Sequence, residues 1–323
     1  MFYKLPNGPC GSFSNPIGNH TVKLYRHRLL RNEQMNVTNA LDFLLYLKEE
    51  DDYHPWDVFI DNRWYLLKLL DSRHVESFKN VTRNIITPFL ETFKPQSNDT
   101  VKIRDLRMFL MVIACYVGME KYLQTMNEMF HQAIAGGLKL TPIEKFLLYG
   151  KVVAYGGEEE WNYFMEIVMS NDSTYGQRTE ALEHLSQSED PSRVLKLLTM
   201  SLNDTLLDAD ESYAVLCFIG ANANNKETFW KFFNENWMKI YERISDEIDF
   251  IIESARPYFS TKADYNDLKT LLTKFKESGI TLGSDHLSVV RANVDCLEMR
   301  LLYFPKGAVD KTQKSYIILE FLK

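Results

Sequence analysis

"LTPIEKFLLYGKVVAYGGEEEW", residues 140–161, contains two helix starts separated by one helix end. The Thr141 side chain can accept a hydrogen bond from the backbone of Glu144, and Pro142 stands at the first helical position, where its missing N–H costs nothing. The paired glycines at 156 and 157 then end that helix. The stretch therefore predicts helices joined by turns of only a few residues.

Three consecutive glutamates at 158–160 follow these glycines, and they could form either a metal site or the first turn of a helix. The helix dipole favours carboxylates in the first turn by about 0.3–1 kcal/mol each. Adjacent helical residues point about 100° apart, so the three carboxylates do not converge on one ion from one face. Trp161 then begins an apolar stripe. We therefore interpret the triplet as a helix start without a bound metal.

Apolar residues recur at spacings of three and four along most of the chain, as at Phe229, Phe233, Trp237 and Ile240. Each such set places one apolar stripe on one helix face. Strict two-residue alternation is absent from the sequence, so no sheet is predicted. We predict an all-α fold, an irregular α-α superhelix. It is a HEAT- or armadillo-like stack of about fourteen to sixteen helices in antiparallel pairs.

The chain divides into two parts by composition. Residues 1–20 are rich in proline and glycine and are predicted to form an irregular lead-in or linker. Residues 21–323 are predicted to form a single α-helical superhelical domain. A stack of this kind exceeds the usual domain size because each unit packs only on its neighbours.

Charge and hydropathy exclude two classes of partner. The formal net charge is −7, without a basic cluster, so we expect no nucleic-acid partner. The longest apolar run, residues 108–119, is much shorter than the roughly 20 residues of a membrane helix. We also expect no membrane span in this chain, and we find no secretory leader in its first twenty residues.

The sequence carries none of the familiar catalytic motifs. It has seven histidines but no HExxH, no GxSxG and no phosphate-binding glycine loop. Its four cysteines form no CxxC pair, and Cys115 and Cys217 stand in apolar runs typical of buried free thiols. The acidic stretch at 48–53 is interpreted as a solvated connection between helices. We therefore predict no catalytic residue, no metal ligand and no cofactor in this chain, and no substrate-binding residue can be named.

N-glycosylation sequons are more frequent than expected. With 21 asparagines and 37 Ser/Thr, chance gives roughly 2.4 N-x-S/T motifs, whereas six occur. The excess indicates a glycoprotein of the secretory pathway or the cell exterior, and a cytosolic protein with chance spacing is the alternative. The candidate sites are Asn19, Asn36, Asn80, Asn98, Asn171 and Asn203.

Several stretches together resemble the C-terminal helical domain of aminopeptidase N-like zinc aminopeptidases, a domain also found in endoplasmic reticulum aminopeptidases. They are "ALDFLLYLKEEDDYHPWD" (40–57), "FLMVIACYVGMEKYL" (109–123), the opening stretch (140–161), "ALEHLSQSEDPSRVLKLL" (181–198) and "FWKFFNENWMKI" (229–240). Their order and spacing match that domain over most of the chain. The residues that carry the resemblance are Pro55, Trp56, Gly156, Gly157, Glu160, Trp161, Asn236 and Trp237.

The chain also departs from the family pattern in two ways. Family members of the secreted type usually carry two disulfides in this domain. Cys115 matches one of these cysteines, but the partner position is Tyr122, and the second pair falls near Gly150 and Gln187. The HExxH helix and GxMEN loop of the family's zinc domain do not occur in the 323 residues.

The resemblance implies a non-catalytic role. In the family this domain walls the cavity over the active site and takes part in peptide access and binding. Zinc would then be held by a catalytic domain that acts in cis or in trans, and a homodimer is a further expectation. The implied compartment is extracellular or the lumen of the secretory pathway. The alternative is a stand-alone helical-repeat scaffold that binds a protein partner on its concave face.

Overall fold

The structure, a computed structural model, describes residues 72–303 except Phe93, Ser97 and Ser284, together with Leu47, Pro55 and Trp56. Twelve α-helices and no strand occur in this described part, which confirms the predicted all-α fold. The lead-in at 1–20 and the acidic stretch at 48–53 lie outside it. The predicted single domain over 21–323 is covered only in part.

The helices are α1 Ser72–Thr92, α2 Val101–Tyr116, α3 Glu120–Ile134, α4 Pro142–Tyr155, α5 Glu158–Met169, α6 Tyr175–Leu185, α7 Pro191–Met200, α8 Ala209–Gly220, α9 Lys226–Arg243, α10 Ile248–Ala255, α11 Lys262–Glu277 and α12 His286–Tyr303.

Local capping chemistry sets many of these helix starts. Thr141 Oγ1 accepts from the Glu144 N–H at 3.0 Å, and Glu144 Oε2 accepts from the Thr141 N–H at 2.7 Å. Asp190 caps α7 by accepting from the Ser192 N–H at 2.7 Å. Each cap satisfies backbone donors that have no partner within the helix. The cap predicted at Thr141 is confirmed.

The helices form two rows. Helices α2, α4, α6, α8 and α10 pack side by side in chain order and make up the even row. Helices α1, α3, α5, α7 and α9 cover them and make up the odd row. Because consecutive helices are joined by short turns, each pair is antiparallel, and all helices of one row point the same way.

The N-terminal ends of the even row lie together along what we call the N edge, the turns at 98–100, 135–141, 170–174 and 201–208. Arg104 of α2 donates to Glu144 of α4 at 2.5 Å. The next junction, α4 to α6, is joined by Lys145 and Glu180 at 2.8 Å. Charged pairs therefore connect successive helices of the even row near their starts.

The opposite ends form the C edge, the turns at 117–119, 156–157, 186–190 and 221–225. Asn225 Nδ2 donates to the Ser188 carbonyl at 2.9 Å, and Asn224 Nδ2 donates to Glu189 at 2.7 Å. These bonds tie the turn after α6 to the turn after α8.

One apolar core runs between the two rows for the whole described length. In α9 the predicted stripe is buried at Phe229, Phe233 and Ile240, while Trp237 is half-buried. Burying a side chain of this size stabilises the fold by about 1.5–3 kcal/mol. The periodicity thus identified most of the core face correctly.

Candidate functional site

The turn between α4 and α5 contains the residues that most strongly suggested the family. Helix α4 ends at Tyr155 and α5 starts at Glu158, with Gly156 and Gly157 between them. Glu160 Oε2 accepts from the Gly157 N–H at 2.7 Å, so this carboxylate caps its own helix. Glu160 and Trp161 are buried whereas Glu158 and Glu159 are exposed. The interpretation of the triplet as a helix start is confirmed.

Gly156 is required here for a steric reason. A Cβ at this position would stand 2.1 Å from the Val152 carbonyl oxygen and 2.9 Å from Glu160 Oε2. Atoms do not approach that closely, so any larger residue would force the turn open. The glycine therefore allows the α4 terminus and the Glu160 cap to close on each other.

Two basic groups surround this turn. The Arg193 guanidinium lies over the Trp161 ring at 5.5 Å, and its Nη1 donates to the Gly156 carbonyl at 3.4 Å. His131 of α3 lies 3.7 Å from Glu159 and 3.6 Å from Glu160. The turn thereby joins α3, α5 and α7. Its contacts are those of a structural junction, with cation–π and capping interactions in place of reactive groups.

The remaining residues of the predicted family signature lie elsewhere in the stack. Pro55 and Trp56 are buried, and the Trp56 ring packs edge-on against Phe89 of α1 at 5.6 Å. On α9 the Trp237 ring packs edge-on against Phe275 of α11 at 4.7 Å. Asn236, next to it, donates to a carbonyl one turn earlier in its own helix. The signature residues therefore occupy three separate packing sites and do not form one shared pocket.

A polar and aromatic cluster that the sequence analysis did not identify lies between α4, α5 and α6. His184 is only 1% exposed, and its ring lies 5.4 Å from that of Tyr149 and 5.2 Å from that of Phe164. Neither ring nitrogen has a hydrogen-bond partner, and Nε2 stands 3.8 Å from Glu180 Oε1. The spacing of Glu180 and His184, four residues on one helix, was the available sequence signal.

The electrostatics of this cluster follow from its burial. Burial lowers the pKa of His184, so the imidazole is held neutral. The His184 ring, with its Nε2 3.8 Å away, and the Lys145 ammonium, 2.8 Å away, lower the pKa of the Glu180 carboxyl to about 2. Burial raises the pKa of the neighbouring Glu183. One face of the even row thus places a half-exposed ion pair beside a partly desolvated carboxyl group.

An exposed aromatic ring completes this face. Phe146 of α4 is 50% exposed, and its ring centroid lies 6.1 Å from that of His184. We call Lys145, Phe146, Glu180 and Glu183 the Phe146 surface. It places an exposed aromatic ring next to groups of both charges.

A second buried histidine connects the last helices. His286, at the start of α12, places Nε2 2.5 Å from Asp249 Oδ1 and Nδ1 3.1 Å from Arg256 Nη1. Burial lowers the pKa of His286, and Asp249 opposes that shift. The contact fixes α12 against α10 and the turn that follows it.

The two cysteines whose side chains are described are free thiols, as predicted. Burial raises the pKa of Cys115 to about 11 and that of Cys217 to about 12, so neither is a thiolate near neutral pH. At the second disulfide position of the family, a Cβ built on Gly150 would lie 3.4 Å from Gln187 Cγ. The two positions are thus neighbours in space although neither is a cysteine.

The residues required for metal chemistry are not found together. Within residues 72–303, apart from the three gaps, no group of three His, Cys, Asp or Glu side chains could hold a metal ion. The described side chains therefore do not fit the zinc site that the family implies. In the same part of the chain, none of the helices has the length and apolarity needed to cross a bilayer.

The predicted glycosylation sites divide into two groups. Asn80 lies on α1, whereas Asn98, Asn171 and Asn203 lie in exposed turns of the N edge. Asn19 and Asn36 lie outside the described residues. Occupancy of all six sites stays a prediction.

Comparison with known proteins establishes the family. Residues 27–290 match the family described as ERAP1-like C-terminal domain. The chain belongs to this family. The match covers the described helices from α1 into α12, including the turn at Gly156.

Similar proteins are aminopeptidases and an ectoenzyme. Endoplasmic reticulum aminopeptidase 1 of Mus musculus is 25% identical over 290 residues, which are 87% of this chain and 30% of that protein. Aminopeptidase N of Mus musculus is 23% identical over 275 residues, 80% of this chain and 28% of that protein. The thyrotropin-releasing hormone-degrading ectoenzyme of Homo sapiens is 21% identical over 267 residues, 79% and 25% respectively. The chain thus spans less than a third of the length of these relatives.

Proposed function

We propose that this chain is the non-catalytic C-terminal domain of a zinc aminopeptidase, where it forms the cavity wall over the active site and contributes to peptide access and binding. The observation that carries the proposal is the match of residues 27–290 to the C-terminal domain family. The continuous two-row stack supports it, because a wall needs an extended surface rather than a pocket.

We assign peptide contact to the Phe146 surface. Its exposed ring can pack against apolar side chains of a peptide, and the Lys145–Glu180 pair offers a donor and an acceptor beside it. The buried rings of His184, Tyr149 and Phe164 pack beneath this surface and support it.

The zinc and the cleavage chemistry belong, in this proposal, to a catalytic domain in cis or in trans. Neither HExxH nor GxMEN occurs in the 323 residues, and the described side chains do not fit a zinc site. The partners are therefore that catalytic domain and peptides, and a homodimer is a further proposal. The compartment is the secretory-pathway lumen or the cell exterior. The six sequons and the names of the relatives support this location.

The test pairs this chain with the catalytic portion of mouse endoplasmic reticulum aminopeptidase 1 lacking its own matching segment. We expect the chain alone to cleave no aminoacyl reporter in the presence of zinc. We expect it to associate with the catalytic portion and to change how fast long peptides are trimmed relative to dipeptide reporters. Zinc-dependent turnover by the purified chain would overturn the non-catalytic assignment, and failure to associate would favour the scaffold alternative.

A matched pair of variants tests the Phe146 surface. Phe146→Ser should raise KM for long peptides about three- to tenfold and leave dipeptide cleavage unchanged, because only a long substrate reaches that surface. Met238→Ser, on the odd row and 40% exposed, is the control and should change neither. Equal effects of both variants would contradict the assignment of this surface.

A further inference from the structure

A shallow apolar groove lies along α7 beside the turn that leads to α8. Leu195, Met200 and Leu206 are its apolar side chains, and Ser192, Lys196, Thr199 and Asn203 complete its lining. Its volume is about 430 Å³, and Leu195 is 49% exposed.

Asn203 is oriented by its own sequon. Its Oδ1 accepts from the Thr205 N–H at 2.9 Å and from the Thr205 hydroxyl at 2.7 Å. Since a backbone N–H can bond only to the oxygen of this amide, the contact fixes which amide atom is Oδ1. The nitrogen Nδ2 is therefore the atom that faces away from Thr205. Asn203 and Thr205 are both exposed, so the sequon is accessible.

We infer that Asn203 carries an N-linked oligosaccharide whose first N-acetylglucosamine lies in this groove and covers Leu195 and Leu206. The inference rests on the lumenal or extracellular location proposed above. In the modification a glycosidic bond forms between Nδ2 and C1 of the sugar of a polyprenyl diphosphate-linked oligosaccharide. Nδ2 loses one proton, and the polyprenyl diphosphate leaves with the bonding pair.

The chemistry of the groove suits this occupant. A pyranose ring has an apolar C–H face, which can pack on leucine and methionine side chains, and polar edges. Ser192, Lys196 and Thr199 line the same groove and offer hydrogen-bond partners to those edges. The sugar is also held at high local concentration by its bond to Asn203, so weak contacts suffice to keep it there.

The other described sequons differ in their surroundings. Asn80 lies within α1, and its Oδ1 accepts from Arg83 one turn later in the same helix. Asn98 and Asn171 share the N edge with Asn203. Residues near them on that edge, Val101 and Tyr175, are exposed apolar side chains.

Two glycosidases distinguish the covering sugar from the rest of the oligosaccharide. The full chain is secreted, behind an appended signal peptide, from cells that make only oligomannose glycans, and occupancy is read by glycopeptide mass spectrometry. Endoglycosidase H leaves one N-acetylglucosamine on each asparagine. Peptide N-glycosidase F hydrolyses the side-chain amide, so the whole oligosaccharide leaves as a glycosylamine and an aspartate remains. Amide hydrogen exchange is then measured over residues 191–208.

We expect Asn203 to be occupied and exchange over 191–208 to be unchanged by endoglycosidase H. Complete removal should raise that exchange about threefold or more, because the groove loses its cover. An unoccupied Asn203, or equal exchange after both enzymes, would overturn the inference. These outcomes are independent of the peptidase test, which uses the assembled enzyme and measures peptide trimming.

Variants control for side effects of the enzymes. Thr205→Ala abolishes the sequon while keeping a neutral asparagine, and Thr205→Ser keeps the sequon and is its matched control. Exchange in the Thr205→Ala protein should equal that of the fully deglycosylated chain, and the Thr205→Ser protein should match the glycosylated one. Asn203→Gln repeats the loss without altering Thr205. In the Leu195→Ser protein, removal of the sugar should change amide exchange over 191–208 much less than in the unaltered chain. A change as large as in the unaltered chain would contradict packing of the sugar on Leu195.

Discussion

Arg178 of α6 donates two hydrogen bonds to Glu211 of α8, from Nε to Oε1 at 2.7 Å and from Nη2 to Oε2 at 2.9 Å. The same guanidinium donates to the Leu206 carbonyl at 3.0 Å, in the turn before α8. Glu211 is buried and caps α8 by accepting from the Asp208 N–H. One ion pair therefore sets both the start of a helix and its position beside the previous helix of the even row.

Breaking this pair should be costly. Arg178→Ala leaves the Glu211 carboxylate buried without its main partner, so we expect the free energy of unfolding to fall by about 3 kcal/mol. The comparison is Glu76→Gln, which removes an exposed partner of Arg83 and should cost less than about 1 kcal/mol. Urea unfolding followed by circular dichroism measures both. Similar losses in the two variants would show that the Arg178–Glu211 pair behaves as a surface contact.

Trp161→Ala should lower the free energy of unfolding by about 3–5 kcal/mol, because it empties a buried site between α5 and α7 and removes the Arg193 contact. Trp237→Ala serves as the control for aromatic truncation, and its half-buried ring should cost less. Thermal and denaturant unfolding of the two proteins gives the comparison. A loss below about 1 kcal/mol at Trp161 would mean that this helix face does not pack as described.

Gly156→Ala should destabilise the chain by about 1–3 kcal/mol, since the added methyl group meets the Val152 carbonyl oxygen. Gly176→Ala is the matched substitution, because a Cβ there meets no atom within 4 Å. Gly176 lies in the first turn of α6, where alanine should stabilise the helix by about 0.5–1 kcal/mol. In denaturant unfolding, Gly156→Ala should lower the free energy of unfolding and Gly176→Ala should raise it. Changes of the same sign in the two variants would contradict the steric account.

The double substitution Gly150→Cys and Gln187→Cys should form a disulfide under mild oxidation, because the two positions are in van der Waals contact. Closing a loop of this length stabilises by at most about 4 kcal/mol through the entropy of the unfolded chain. The reduced form of the same protein is the internal control. Failure to cross-link under oxidant, measured by thiol labelling, would place α4 and the turn after α6 farther apart than described.

Stability should fall as the pH drops from 7 towards 5, in part because of His184. Its pKa is lowered in the folded state, so the unfolded chain binds more protons once the pH falls below about 6.5. His184→Phe should therefore reduce the slope of stability in this range. Glu180→Gln should change the pH dependence of stability in a different, more acidic range. The pKa of Glu180 is held at about 2, so its contribution is lost only below about pH 4.5. An unchanged slope in the His184→Phe protein would contradict a buried neutral imidazole.

The sequence predicted the helix starts well because capping is local. Thr141 and Glu144, like Gly157 and Glu160, are three residues apart, so short patterns contain all that these caps require. Apolar periodicity likewise identified the buried face of α9 at Phe233. It overestimated the burial of Trp237, because its contact with Phe275 depends on a later helix that covers it only in part.

Short sequence patterns could not predict contacts between residues that are far apart in the chain. Arg178 and Glu211 are 33 residues apart, and Arg193 and Gly156 are 37 apart. Which arginine meets which carboxylate depends on the turn between consecutive helix pairs, which no short motif specifies. The burial of His184 was missed for the same reason, since the rings that surround it come from two other helices, α4 and α5.

The two-row stack also has a mechanical consequence. Within the described residues, the extensive contacts join only helices that are one or two apart in the chain. No such contact connects the first helix pairs to the last. The curvature of such a stack is the sum of the small rotations between successive helix pairs. A change of angle at any one junction would therefore displace the two ends of the described stack relative to each other, while each helix pair keeps its own packing.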